Sequence, residues 1–200
     1  MSHSYDVPAA TLERELAVKK SRFIARAARV ENRQAAMAFL EAVKRDYPDA
    51  RHHCWAYLLG APQSASTAAA NDDGEPSGTA GKPILNVIQH KGIGDVMVVV
   101  TRYFGGIKLG AGGLTRAYSS ACEAVLSALP LAQHRQMLRR RIRTDFSQEQ
   151  RLRHWLAGHG VAIADVAYGD GVALTLVLPA DLLPQLEAFC RANGMVAMQD

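Results

Sequence analysis

Residues 102–118 read Arg-Tyr-Phe-Gly-Gly-Ile-Lys-Leu-Gly-Ala-Gly-Gly-Leu-Thr-Arg-Ala-Tyr. Gly105, Gly106, Gly110, Gly112 and Gly113 lie between a strand pattern and a helix pattern, with Arg102, Lys108 and Arg116 interleaved. Glycine lets the backbone turn and approach where a Cβ would block it. A helix that opens on such a run leaves unpaired N–H groups facing outward, and its positive end attracts anions. Arginine adds a planar fork for phosphate and lysine a mobile point charge. The chemistry expected here is anion binding, to a phosphate or a nucleic acid. The competing reading is a strand-to-helix crossover that needs small residues for packing. The spacing is neither a Walker A loop nor a Gly-x-Gly-x-x-Gly dinucleotide fingerprint.

A second group is Asn71-Asp72-Asp73-Gly74-Glu75-Pro76-Ser77-Gly78-Thr79-Ala80-Gly81-Lys82-Pro83. Asp72, Asp73 and Glu75 could share Mg²⁺ with a substrate phosphate. They could instead close a solvated turn through their own backbone, or pair with Arg102, Lys108 or Arg116. Ser77 beside His52 or His53 has the residue types of a hydrolase, without a Gly-x-Ser-x-Gly elbow. On a strand, His52 shares a face with Cys54 and Ala56, while His53, Trp55 and Tyr57 share the other. A His–aromatic strip of that kind could stack a base; a half-buried strand is the plainer reading. Arg139, Arg141 and Arg143 also align on one strand face, either as a solvated face or as a basic stripe for RNA.

The elements that must position these groups follow from periodicity. Strands are expected over residues 15–18 and 22–30. A helix follows Asn32 as N-cap, with Ala36, Phe39, Leu40 and Val43 on one face. Residues 52–59 read as a strand and 61–80 as a long loop of the kind that is usually functional or disordered. A helix is expected from Pro83 to about His90. Residues 95–103, apolar on both faces at Val96, Met97, Val98, Val99 and Val100, read as a central strand. The glycine run then leads to a helix from about Leu114 to Leu129. After Pro130 the order is strand (136–145), helix (147–158), strands (161–168 and 172–178) joined by Gly169-Asp170-Gly171, helix (181–192) and strand (195–198). Ser147 and Gln150 have the spacing of a capping box. The order βαββαβ is the split arrangement of ferredoxin-like domains. Two domains, 1–130 and 131–200, are expected in an α+β chain.

Composition bounds the function. The net charge of +4 is mild, so binding to nucleic acid would rest on a local patch. The apolar runs are too short to cross a bilayer, and residues 1–8 lack the apolar core of a secretory signal. A cytoplasmic location without membrane contact is expected. Cys54, Cys122 and Cys190 are widely separated and read as small core residues in a reducing compartment.

The His52–Tyr57 segment, the loop of residues 72–83 and the block of residues 102–118 together resemble the YigZ/IMPACT family, as in its bacterial members. The resemblance covers about residues 15–130, and the remainder is similar to the small C-terminal domain those members carry. It implies a first domain with the fold of ribosomal protein S5 domain 2 and a second similar to modules of elongation factor G. The resemblance implies that eukaryotic relatives, which carry a different extra domain, modulate a translation-initiation stress response by competing for a scaffold protein, an interaction not expected of this chain. For bacterial members it implies a role linked to RNA or the ribosome.

Two functional expectations result. One is a non-catalytic translation-linked regulator. It would bind RNA, a ribosome-associated protein or a phosphate-containing small molecule through Lys82, Arg102, Gly105, Gly106, Lys108, Gly110, Gly112, Gly113 and Arg116, with no cofactor or metal. His52, His53, Trp55 and Tyr57 would be its stacking strip. The other is a metal-assisted hydrolase or transferase using Asp72, Asp73, Glu75 and Ser77.

Overall fold

The computed structural model describes residues 4–199; residues 1–3 of the polar N-terminal stretch lie outside it. The chain divides into two compact units, Tyr5–His134 and the residues from Arg135 onward.

In the first unit, β2 (Leu12–Val18), β3 (Ser21–Arg29), β4 (His52–Leu59), β5 (Thr67–Asn71) and β6 (Val96–Tyr103) form one antiparallel sheet in the order β2-β3-β6-β4-β5. The central strand β6 is buried on both faces, as its unbroken valine run requires. Val96, Val98 and Val100 face α2 (Gly81–Lys91) and α3 (Gly110–Ala128), with Phe23, Ala25, Cys54 and Ala56 beside them. Met97 and Val99 face the opposite layer, α1 (Arg33–Asp46), through Ala36, Leu40 and Val43. Asn32 caps α1 as expected, its Oδ1 accepting from the Ala35 amide at 2.8 Å.

β1 (Ser4–Pro8) and β7 (Leu131–Arg135) form a separate two-stranded sheet. The division between units therefore falls after His134 rather than after Pro130. Asp95 is buried with its Oδ1 accepting from the Gly60 amide at 2.7 Å and its Oδ2 from the Tyr5 hydroxyl at 2.8 Å.

Three local expectations are corrected. Residues 61–80 are not one loop, because β5 pairs with β4 inside that stretch. α3 begins at Gly110, so Gly112 and Gly113 belong to its first turns. The second unit's first helix starts at Phe146, with Asp145 in the cap position and no side-chain cap, so Ser147 and Gln150 do not form a capping box.

The second unit runs β8 (Met137–Thr144), α4 (Phe146–Gly158), β9 (Ala162–Tyr168), β10 (Val172–Pro179), α5 (Leu183–Ala192) and β11 (Val196–Gln199). Its antiparallel sheet has the order β11-β8-β10-β9, the ferredoxin-like topology. Ile142, Leu174, Leu176 and Leu178 from the sheet close a core with Leu152, Leu156, Leu186 and Cys190 from the helices.

All three cysteines are buried and unpaired. Burial pushes the Cys54 thiol up to about 12 and the Cys190 thiol up to about 11, and raises Cys122 as well. No helix among the described residues is long and apolar enough to cross a membrane.

Candidate functional site

The site begins where β6 ends. The alternation that turns Val98 and Val100 toward α2 and α3 also turns Arg102 that way. In register, Arg102 lies between Phe23 on β3 and His52 on β4. Its side chain is 8% exposed and meets Glu75, 4% exposed, with Nη1 donating to Oε1 at 2.6 Å. The Tyr118 hydroxyl of α3 donates to the same oxygen at 2.8 Å. The Arg102 guanidinium carbon stands 5.6 Å from the centres of both the Phe23 and Phe104 rings. A charge buried this deeply persists only with a partner, and Glu75 supplies it. The guanidinium Nε is buried with no hydrogen-bond partner. Burial, with Cys54 and Glu75 close by, pushes the Tyr118 hydroxyl far above its ordinary range.

Asp72 organises the loop that delivers Glu75. Its Oδ1 accepts from the amides of Ala80 at 3.0 Å and Gly81 at 2.8 Å, and its Oδ2 from Gly78 at 2.8 Å. Burial alone would raise this carboxyl. The amides of Gly78, Gly81 and Ala80 outweigh burial and hold it below its usual value. Asp73 Oδ2 accepts from the His53 amide at 2.7 Å, and its carbonyl accepts from His52 Nδ1 at 2.8 Å. The three acids therefore do not converge. No group of three or more His, Cys, Asp or Glu among the described residues is placed to hold a metal. Ser77 is exposed in the turn and bonds neither histidine; His52 Nδ1 meets the Asp73 carbonyl and His53 Nδ1 meets Thr101 Oγ1 at 3.0 Å.

Asp72→Ala is expected to cost about 2 kcal/mol, since three amides lose an ionised acceptor. The sign with pH follows from the lowered folded pKa. The contribution is complete above the unfolded value near about 3.9 and disappears as pH falls below it through the folded value. Chemical denaturation across acid pH, compared with Asp72→Asn, measures both.

Above the Arg102–Glu75 pair lies a cavity of about 640 Å³. Arg51, His52 and Arg102 line it, with Lys108, Gly110 and Ala111 from the start of α3 and aromatic surface from Tyr103 and Phe104. Phe104 is 57% exposed. α3 opens with no side-chain cap and no acid in its first turn. Gly110, at φ +72°, makes the turn into it. Its leading amides and macrodipole thus present positive potential toward the cavity wall formed by Gly110 and Ala111. Asp49 also lines the cavity, where its Oδ1 accepts from the Tyr103 hydroxyl at 2.8 Å.

The expected anion-binding residues separate into groups. Arg102, Lys108 and Gly110 line the cavity, as do His52 and Glu75. Gly112, Gly113 and Arg116 lie further along α3 and do not, although the Arg116 guanidinium reaches back over Gly112. Gly105 packs on the backbone of Lys20, Gly106 takes a turn conformation at φ +83°, and Lys82 is exposed on α2 away from the cavity. The stacking strip is corrected. His53 and Tyr57 are buried, and Trp55 is half-buried, stacked on Tyr57 at 5.6 Å in the layer against α1. His53 and Tyr57 are thus closed to a base, and one face of Trp55 is taken by Tyr57. Sequence reasoning missed Arg51 and Phe104. An aromatic directly after an inward arginine, at the end of a strand and before two glycines, was the available signal for Phe104.

Residues 19–126 match the Impact N-terminal domain and residues 142–195 a domain of unknown function, DUF1949. IMPACT family member YigZ of Escherichia coli (strain K12) is 37% identical over 185 residues, covering 92% of this chain and 91% of its own. IMPACT family member YvyE of Bacillus subtilis (strain 168) is 37% identical over 172 residues, covering 86% and 78%. A solved structure titled as that of an hypothetical protein is 33% identical and superposes with a TM-score of 0.72 over 100% of this chain and 98% of its own. An identity of this level along nearly the whole chain, through both domains, makes the protein a member of the IMPACT family.

Proposed function

We propose that the protein is a translation-linked regulator that binds a phosphate-bearing ligand, foremost a nucleotide unit of RNA, in the cavity at the start of α3, and that it is not an enzyme. The translation link extends what the family resemblance implies. The ligand chemistry rests on one observation: an uncapped helix start opens on a cavity whose walls hold Arg51, Arg102 and Lys108. The volume suits one nucleotide. Phosphate would meet Lys108 and the leading amides of α3, and the base would lie on Phe104, the exposed ring beside them. Nucleophilic chemistry has little support. The Cys54 thiol is buried and pushed up to about 12, and no side chain among the described residues is hydrogen-bonded to Ser77.

Binding of a short single-stranded RNA and of a nucleoside monophosphate, followed by fluorescence or calorimetry, tests this. Phe104→Ala is expected to weaken binding about tenfold through lost stacking. Lys108→Ala is expected to flatten the log affinity–log salt slope for RNA by about 0.7, one phosphate contact on a single strand. Unchanged affinity in both variants would refute the site.

A further inference from the structure

Arg139, Arg141 and Arg143 stand exposed along β8 while Ile142 between them enters the core, the arrangement of a solvated sheet face. A more specific arrangement surrounds His52 in the first unit. Its Nδ1 meets the Asp73 carbonyl at 2.8 Å. A carbonyl only accepts, so Nδ1 carries the proton and the tautomer is fixed. The turn that brings this carbonyl is built around the contact. Asp73, at φ +40°, holds a conformation that few non-glycine residues adopt, and its amide donates to Asn71 Oδ1 at 2.7 Å. Gly74, at φ +84°, lies along the ring, where a Cβ would stand 3.4 Å from Nδ1 and 3.5 Å from Cε1. Nε2 is then the one ring atom left to gain or lose a proton. It has no hydrogen-bond partner among the described residues and is not sealed from solvent.

His52 lies in register with Arg102 and lines the same cavity, while His53 turns to the opposite face of the strand. The other charges around His52 fall into two sets. Asp49, Asp73 and Glu75 are its acidic neighbours, and each is engaged: Asp49 with the Tyr103 hydroxyl, Asp73 with the His53 amide, Glu75 with Arg102. Arg51, Arg102 and Lys108 are the cations of the wall. On their own, these three cations oppose a further positive charge on His52. A phosphate seated among them removes that opposition and offers Nε2 an acceptor. Neutral, Nε2 would turn a lone pair toward the phosphate oxygens; protonated, it donates to them.

We propose that His52 binds the ligand phosphate through a protonated Nε2, so that ligand binding at this cavity takes up a proton. This role rests on the reading of the cavity as a phosphate site. By linkage, affinity rises as pH falls, by up to about tenfold per pH unit for one proton taken up. A histidine that only braced the loop of residues 72–75 would leave proton uptake unaltered.

The test uses uridylyl-uridine with the full chain. Its diester phosphate keeps one negative charge across about pH 6–8, unlike a monoester, whose second ionisation falls near about 6. Calorimetry in buffers of different ionisation enthalpy counts the protons exchanged. The expected result is uptake of up to about one proton per dinucleotide by the wild type and its loss in His52→Gln, whose side chain does not titrate. In the wild type, the ring-nitrogen NMR shifts of His52 should move from the neutral to the protonated pattern as dinucleotide is added, a readout that needs no variant. Binding that Phe104→Ala and Lys108→Ala weaken, but that takes up no proton, overturns the role of His52 and leaves the reading of the cavity in place. Equal uptake in His52→Gln, or unmoved His52 shifts, overturns it too. Absence of dinucleotide binding overturns both.

Discussion

Glu75→Ala is expected to destabilise the first unit by about 3–5 kcal/mol, the cost of leaving a buried charge without its partner. Arg102 is 8% exposed and flanked by two phenylalanine rings, so water replaces the lost carboxylate only in part, from the cavity side. Tyr118 loses its acceptor in the same step. Glu75→Gln keeps an acceptor oxygen for Tyr118 and should cost less. The double variant Glu75→Leu, Arg102→Met should recover most of the loss, because an apolar pair of similar volume carries no desolvation penalty. Urea denaturation of the wild type, the double variant and its two single variants Glu75→Leu and Arg102→Met measures the coupling. A single-variant cost below about 1 kcal/mol, the range of exposed pairs, would contradict the burial of this pair.

Gly105→Ala is the second large effect, at about 3 kcal/mol or more. A Cβ on Gly105 would stand 2.0 Å from the Lys20 carbonyl carbon and 2.1 Å from its oxygen. Those atoms belong to the β2–β3 turn, where Lys19 and Lys20 both have positive φ and the backbone has little room to retreat. Gly112→Ala, seven residues along the same run, should behave in the opposite way. Its nearest neighbour would be Arg116 Nη1 at 3.5 Å, an ordinary contact with a movable side chain. Alanine there should gain up to about 1 kcal/mol from helix propensity and a less flexible unfolded chain. Thermal unfolding of both variants distinguishes a glycine required by packing from one that is not.

That contrast shows what a residue pattern reveals. The glycine run looked uniform in sequence, yet its members do different work: Gly105 permits a backbone contact, Gly110 turns the chain, and Gly112 merely sits in a helix. The run also hid the true start of α3, because glycine's poor helix propensity argued for a later one. The central strand was legible because an unbroken β-branched run, apolar on both faces, suits a strand covered from both sides. Helix α1 was legible from Asn32 and its apolar stripe, and the second unit from its element order. β5 was not, since alanine carries little strand preference and an edge strand is fixed by its partner. β1 and β7 were hidden because their pairing joins the two ends of the first unit. At the site, Arg102 and Lys108 stood out by their spacing, and pairing of the acids with Arg102 was one open alternative. That Glu75 alone takes that role, while Asp72 and Asp73 bind backbone amides, depends on loop geometry that composition does not encode.

The sequestered sulfhydryls make the protein its own reporter. Alkylating reagents attack the thiolate, so Cys54, Cys122 and Cys190 should stay silent until local opening admits reagent and solvent. Cys190 then times opening of the second unit and the other two that of the first, without any engineered label. A cysteine introduced on an outer surface would react alone, giving single-position attachment of a fluorophore while the native three remain in place.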